Sequence, residues 1–546
     1  MKVIAALYAD FAGSSLGTSS RLDKPIHGVP VLRRTVQRLA RANRPTSVHV
    51  GCPRRFQSQC AELIEGTGAV LHVMEVAPPP WQNLVQPART WSLNGWRGGI
   101  GGTTHFDEFV DARWLAPLMQ QVDADAAVIV HPGAALVDPH LTDRMVEHLK
   151  QSEETSRLVF AQSPPGLTGL ALGRSIVEEL AERQTPIGWV FSFKPDAPTK
   201  DLITQPPCLE VPGAVRYASG RLVSDTRRGF ERLERVLSKH DDPSAEQASE
   251  VLLEEQGRRL DDVPTEIEIE LTTDDPFPDR LLHPRGEACG TRGPIPLSMI
   301  EAIATELGAY DDSLAVLAGF GDPLRYERLR DCLEVLRPKV YGLAVRTAGV
   351  DLTEAGFQML VETGVDVLQI VLDAHTAPTH AHVHGKPVTP VSDFDTLTAL
   401  INRTNEIRES MRSIRPILVP TMTKAAENLE ELDAFHDDWL RRVGSVCIDG
   451  ASTYGSLWTD HRVTSVAPPQ RTPCSRIWTR CVALADGQVI SCDQDFQGRQ
   501  PIGDLRRQSL ADIWRSMPAD RLRQCHTDGS YMSLPICAGC DEWHRP

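Results

Sequence analysis

The sequence predicts an α/β protein of several domains that ends in a small cysteine-rich module. Three observations carry this. Short apolar runs alternate with helical patterns over residues 1–235 and again over 264–470, the arrangement of largely parallel sheets flanked by helices. An acidic stretch, 236–263, separates the two. Six of the twelve cysteines fall within the last 73 residues, 474–546.

The first segment opens on an apolar strand, 3–8, followed by the loop Gly13-Ser-Ser-Leu-Gly-Thr-Ser-Ser-Arg21 and a helix over 31–42. Residues 47–52 and 126–130 read as later strands, and a glycine-rich loop occupies 95–102. The dense Glu, Asp and Arg of 236–263 read as a helical connector. The next segment begins on the alternating strand Thr265-Glu-Ile-Glu-Ile-Glu-Leu271. Further strands fall at 314–317, 341–345, 367–372 and 417–419, with helices at 296–307 and 354–363. Repeated βα units of this size predict a full or partial barrel. In the tail, Asp486-Gly487 between two β-prone runs predicts a hairpin.

With 546 residues, 41% hydrophobic and 24% charged, the chain has the composition of a globular protein with ample core. A net charge of −16 argues against a nucleic-acid partner or an anionic membrane surface. No apolar run reaches the roughly 18 residues of a membrane span, and Asp10 cuts short the only signal-like run. A cytoplasmic location is expected. There thiols stay reduced, and clustered cysteines favour a metal over disulfides.

Four tail cysteines are spaced like ligands: Cys474, Cys492, and the CxxC pair Cys537 and Cys540. A CxxC turn lets two thiolates reach one centre, and a hairpin at 486–487 brings Cys474 and Cys492 together. Four thiolates in one place mean iron–sulfur or zinc. The surrounding residues add to this: Trp478, the Asp-Gly hairpin, Ile502-Gly-Asp-Leu505 read as a turn, and Ser509-Leu-Ala-Asp-Ile-Trp514 read as a helix. This pattern, spanning 474–546, resembles the SPASM or twitch module of radical SAM proteins. The resemblance implies one auxiliary 4Fe-4S cluster on Cys474, Cys492, Cys537 and Cys540. Cys481 and Cys525 do not fit the longer spacing of two-cluster modules.

That tail implies a radical SAM-like partial (β/α) barrel before it, and several segments fit. Gly319-Phe-Gly321-Asp322-Pro323 resembles the segment that contacts the methionine part of S-adenosylmethionine, although the same residues also suit a plain strand-end turn. Val345-Arg-Thr-Ala-Gly349, Val371-Leu-Asp-Ala374 and Val383-His-Gly385 resemble later family segments. The defining CxxxCxxC is absent: Pro276, Arg280 and His283 stand where its cysteines belong, and the nearest cysteine, Cys289, is alone. Without that cluster no electron reaches the sulfonium and no 5′-deoxyadenosyl radical forms. Its loss also removes the amino and carboxylate anchor of S-adenosylmethionine, which argues against binding.

The first segment resembles sugar-phosphate nucleotidyltransferases, with their GT-A-like α/β sandwich. Gly13, Gly17, Arg21 and Lys24 match the positions that hold a nucleotide triphosphate, whose oxygens need many donors. A βα turn of any α/β domain is the alternative, since a glycine-rich loop alone is a weak signal. Arg97 and 98–102 form a second loop suited to a sugar or base, followed by Asp107 and Glu108. The metal-holding Asp of that family is missing. Gly133 falls at its place in Val130-His-Pro-Gly133, and Asp138 comes too late, so Mg²⁺ with the nucleotide is poorly held.

The domains expected are thus 1–235 nucleotidyltransferase-like, 236–263 connector, 264–470 degenerate radical SAM-like barrel and 471–546 SPASM-like module. The leading expectation is an iron–sulfur protein that keeps its auxiliary cluster and has lost its radical-generating one. It would work with a small molecule or within a peptide- or polysaccharide-modifying pathway. The alternatives are a nucleotidyltransferase acting on a sugar phosphate in surface-polysaccharide synthesis, and a structural zinc protein.

Overall fold

Residues 1–79, 81–152 and 156–545 are described by the structure, a computed structural model. The chain forms two units, Met1–Glu255 and Gln256–Pro546; residue 546, the last of the tail segment, lies outside the described residues.

The first unit is built on a seven-stranded sheet. Its strands are β1 (Val3–Tyr8), β4 (Val48–Cys52), β5 (Val70–Val73), β6 (Ala126–Ile129), β7 (Leu158–Ala161), β8 (Leu170–Gly173) and β9 (Cys208–Leu209), in the order β5-β4-β1-β6-β8-β7-β9. A separate small hairpin pairs β2 (Pro25–Ile26) with β3 (Val29–Pro30). β5, β4, β1 and β6 run parallel, and β8 turns antiparallel to both β6 and β7. β1 reads as an unbroken apolar run because helices cover both faces of a parallel sheet. Val3, Ala5 and Leu7 enter one core and Ile4 and Ala6 the other. This is the α/β sandwich expected of the first segment.

Two findings differ from expectation here. The 236–263 stretch is not an exposed link throughout. Helices Arg227–Lys239 and Ala245–Glu255 place Leu233, Val236, Leu237, Val251 and Leu252 in the core of this unit. Most of their charged residues lie on the solvent face of amphipathic helices, while Arg228 is buried. The short strands β5 and β7 to β9 are not among those read from the sequence.

In the second unit, six parallel strands follow one another in chain order: β10 (Glu266–Glu270), β11 (Leu314–Ala318), β12 (Gly342–Thr347), β13 (Val367–Val371), β14 (Ile417–Lys424) and β15 (Cys447–Gly450). Each pairs with the next, and helices fill the connections. That is a partial (β/α) barrel. On β10, Ile267 and Ile269 face the helix-covered core while Glu266 and Glu268 face the other way.

The cysteine-rich module continues the same sheet. β16 (Arg480–Ala483) pairs parallel to β10, and β17 (Gln488–Ile490) and β18 (Pro501–Asp504) follow antiparallel. The Asp486-Gly487 hairpin forms as expected, with Gly487 at φ +91°. Residues 502–505, expected as a turn, mostly belong to β18 instead. The helix Leu510–Trp514 forms with Ser509 as its cap, the Ser509 oxygen accepting from Asp512 N–H. Among the described residues no helix is long and apolar enough to cross a membrane.

Candidate functional site

The structure brings the four tail cysteines together. Cys474 precedes β16, Cys492 follows β17, Cys537 opens the one-turn helix Cys537–Gly539 and Cys540 follows it, and all four line one cleft. The cavity between them is small, about 20 Å³, and partly open to solvent. None of the twelve cysteines is in a disulfide. Cys481 sits in the apolar core beside β10 and Cys525 packs at its edge, and neither lines the cleft.

The raised thiols of this cleft favour metal cations bound among the sulfurs. Burial, then Asp493 and the three other thiols, hold Cys492 well above the usual thiol range. Burial, then Cys540 and Cys474, push Cys537 up to about 12. Burial also raises Cys540. Thiols packed this closely cannot ionise together unless positive charge sits among them, as a bound metal provides. Glu542 N–H already donates to Cys540 Sγ at 3.3 Å. The donor set therefore fits a thiolate-bound metal group. Among the described residues, no three of these sulfurs stand within 4.8 Å of one another. Tetrahedral zinc with bonds of about 2.3 Å would bring sulfurs to about 3.8 Å.

At the strand ends of the barrel, the positions of the missing CxxxCxxC are filled by protein. Arg280 is buried and donates to Asp275 Oδ1 at 3.1 Å, and Arg285 Nε reaches Asp275 Oδ2 at 3.1 Å. His283 Nε2 lies 3.0 Å from Asp373 Oδ2 and its Nδ1 lies 3.3 Å from Tyr454 Oη. Burial opposes the charge of Asp373, yet His283, His384 and the Thr423 N–H hold its carboxyl below the usual range. The carbonyl of Pro276 accepts from Val388 N–H at 3.0 Å. Cys289 is buried beside Phe320, Val482 and Phe496, its thiol pushed up to about 12, first by burial.

The neighbouring segment with Gly319, Gly321, Asp322 and Pro323 is engaged in the same way. A Cβ on Gly319 would stand 2.6 Å from Glu270 Cβ, and one on Gly321 would stand 2.3 Å from Thr272 O. Glycine is needed there so that this turn can close on the end of β10. Asp322 accepts from Thr347 Oγ1 at 2.8 Å, Ala348 N at 2.9 Å and Leu324 N at 3.0 Å. Its carboxylate is thus committed to the β12 end, and Pro323 opens a short helical turn.

In the first unit, a cleft of about 420 Å³ opens at the ends of β1, β4 and β6. Of the four residues matched to a nucleotide site, Gly13 and Arg21 line it; Gly17 and Lys24 do not. Arg21 donates to the carbonyl of Asp225 at 2.9 Å. The second expected loop is held elsewhere: Arg97 pairs with Asp201 at 2.8 Å. Gly133 is closed to any side chain, since a Cβ would stand 2.6 Å from Ser224 Oγ. Asp138 caps the helix Pro139–Gln151, accepting from Leu141 N at 2.8 Å and from Ala245 N at 2.7 Å.

Sequence reasoning missed the charged group at the floor of this cleft. Glu108, His131 and Asp225 bring ligand atoms within 4.8 Å of one another. These donors are already engaged. Arg221 pairs with both Asp225 and Glu108, and Arg89 Nε reaches Glu108 Oε1 at 3.0 Å. Burial would raise the Glu108 carboxyl, but Arg221, His105 and Arg89 hold it well below the usual range. Burial pushes His131 down to about 4. Its Nδ1 accepts from Gly133 N–H at 3.0 Å, so the remaining proton sits on Nε2, the nitrogen facing Asp225. Two guanidiniums balance two carboxylates, and His131 offers no free lone pair toward a cation. The Arg221-to-Asp225 spacing of four residues was the only sequence signal for this cluster.

Residues 474–541 match the SPASM family, described as an iron–sulfur cluster-binding domain. The chain therefore carries an iron–sulfur module of the SPASM type at its C-terminus, joined to a barrel of parallel strands. An uncharacterized protein of Treponema pallidum (strain Nichols) is 26% identical over 276 residues, 48% of this chain and 70% of that protein. Among solved structures, BtrN in complex with AdoMet and 2-DOIA is 15% identical over 52% of this chain and 94% of its own, with a TM-score of 0.35. A cytidylyltransferase from Leptospira borgpetersenii serovar Hardjo-bovis (strain JB197) is 16% identical over 46% of this chain and 93% of its own, with a TM-score of 0.32.

Proposed function

We propose that this is a redox or electron-transfer protein that holds one 4Fe-4S cluster on Cys474, Cys492, Cys537 and Cys540, and that its barrel generates no radical from S-adenosylmethionine. The observation that carries the reading is the convergence of those four thiols on one cleft within the SPASM-matched segment. The family matched over that segment, described as iron–sulfur cluster-binding, favours a cluster over a single zinc ion. A bound cluster of this kind supplies one-electron storage.

The engaged strand ends of the barrel support the second half of the reading. Arg280 and His283 are tied to Asp275 and Asp373 where two cysteines would have to hold iron. Asp322 is tied to Thr347 and Ala348 where S-adenosylmethionine would have to be recognised.

Anaerobic purification followed by iron and sulfide assays tests the cluster: about four irons and about four sulfides per chain are expected, and no bound iron rejects it. Dithionite-reduced protein incubated with S-adenosylmethionine is expected to release no 5′-deoxyadenosine. Release of that product at catalytic amounts rejects the inactive barrel.

A second reading rests on the 420 Å³ cleft of the first unit, whose wall includes Gly13 and Arg21. It would accept a nucleotide-sized ligand, with Arg21 and loop N–H groups as its anion donors. The balanced Glu108 and Asp225 pairs commit the two carboxylates at the floor of the cleft, and binding without transfer is the activity this reading assigns. Equilibrium dialysis with CTP or UTP, with and without EDTA, tests it. Equal retention in both is expected, and pyrophosphate release on adding a sugar phosphate would instead make the unit a transferase.

A further inference from the structure

The thiol cleft holds more than thiols. Arg471, Arg476 and His526 also line it. Each carries buried N–H groups with no hydrogen-bond acceptor in the protein: Nε and Nη2 of Arg471, Nε of Arg476 and Nε2 of His526. A buried donor left unsatisfied costs about 1–3 kcal/mol. Four such atoms on three residues of one cleft point to an acceptor that the protein itself does not supply.

The placement of each side chain is fixed by its other contacts. His526 lies on the helix Met517–Thr527, is 2% exposed, and accepts from Cys474 N–H through Nδ1 at 3.3 Å. That bond leaves the proton on Nε2, so this nitrogen is a donor. Arg471 stacks on Tyr531 with its guanidinium 3.8 Å from the ring centroid, and its Nη1 donates to Cys540 O at 3.2 Å. Arg476 Nη1 donates to Asp493 Oδ1 at 3.0 Å. In both arginines the anchored nitrogen fixes the plane and the orphaned Nε is left unpaired. Donors held this way are preorganised for an acceptor.

We infer that Arg471, Arg476 and His526 are positioning residues whose orphaned N–H groups hydrogen-bond to the sulfur atoms of the bound cluster and raise its reduction potential. This rests on the 4Fe-4S reading of the four cysteines. The acceptors the donors lack are the sulfides and thiolates of an anionic group, soft acceptors spread over a volume larger than one ion. Hydrogen bonds and positive charge beside such sulfurs stabilise the reduced, more negative state. The cleft thus selects an anionic cluster and tunes it toward accepting electrons. The thiols supply the bonds to iron, and the two arginines supply compensating charge.

The test is a potentiometric titration of the full chain, followed by EPR, with iron and sulfide counted on every sample. His526→Asn keeps an acceptor for Cys474 N–H and removes the distal donor; His526→Gln places a donor near the Nε2 position. The expected result is full iron in both. The potential is lowered in His526→Asn by on the order of tenfold in the reduced-to-oxidised ratio, about 59 mV for one electron, and restored toward wild type in His526→Gln. Arg471→Lys and Arg476→Lys keep the charge and lose the Nε–H, and the same fall is expected in each. They carry the test if His526→Asn does not assemble a cluster. Full iron with wild-type potentials in all these variants overturns the inference and leaves the 4Fe-4S reading standing. A wild-type chain without iron overturns that reading, and the inference with it.

Discussion

The charged cluster at the floor of the first unit's cleft and the thiol cleft of the second unit are both buried, polar and rich in metal-binding residue types. They differ in what their members lack. Around Glu108 and Asp225 every charge has an opposite partner, and Arg221 and Arg89 complete the balance. Around Cys474, Cys492, Cys537 and Cys540 the thiols crowd each other and the nearby N–H donors have no acceptor. In the first cluster the charges are paired and one ring nitrogen, His105 Nε2, is orphaned, whereas the thiol cleft gathers four orphaned donors. Residue type alone does not separate the two; pairing does.

The largest effect expected of any change to this contrast is at the thiols. Replacing Cys537→Ala together with Cys540→Ala removes two of four ligands and is expected to cut bound iron from about four per chain to nearly none. Hydrogen exchange of residues 1–255 should stay at its wild-type rates. Retained iron in that variant would mean other residues hold it.

In the first unit, Arg221→Ala leaves Glu108 and Asp225 short of a partner. Breaking a buried pair of this kind costs about 3–5 kcal/mol, read as faster exchange in β6 and a lower urea midpoint. A cost under about 1 kcal/mol would show that the network is not closed. Gly133→Asp tests the same floor from another side. The new side chain meets Ser224, and overpacking of this sort costs about 1–3 kcal/mol without creating Mg²⁺ binding by calorimetry. Tight Mg²⁺ binding in that variant would show that the site needed only its missing carboxylate.

A smaller effect is expected from pH. Burial holds His131 at about 4 in the fold, against about 6.5 in the unfolded chain. As pH falls from about 6.5 to about 4 the unfolded chain takes up this proton first, so stability is lost across that window. Glu108 and Asp225, whose folded values are lowered, lose their contribution as pH falls further through those values. His131→Gln is expected to flatten the slope between pH 7 and 5 in urea unfolding resolved by exchange of the first unit. An unchanged slope would assign that pH dependence to other groups.

Much of this was legible in the sequence. The strands of both sheets that are long and apolar, such as 3–8 and 367–371, announce themselves because burial on both faces demands continuous apolar residues. The four cysteines were legible because thiolate spacing and the Asp-Gly turn are local signals. The charged cluster was not, because Arg89, Glu108, His131 and Arg221 meet only through the sheet's long connections. The part of 236–263 that packs into the first unit reads as a connector for a related reason. Its charge dominates composition, while the apolar stripe that seats it lies at helical spacing.

The central claim is that the four tail thiols hold an iron–sulfur cluster. X-ray absorption on the anaerobically purified full chain tests it most directly. An iron edge with sulfur neighbours and an iron–iron vector, absent in the Cys537→Ala, Cys540→Ala chain, is the result expected. A zinc edge with four sulfurs at about 2.3 Å and no iron would contradict it.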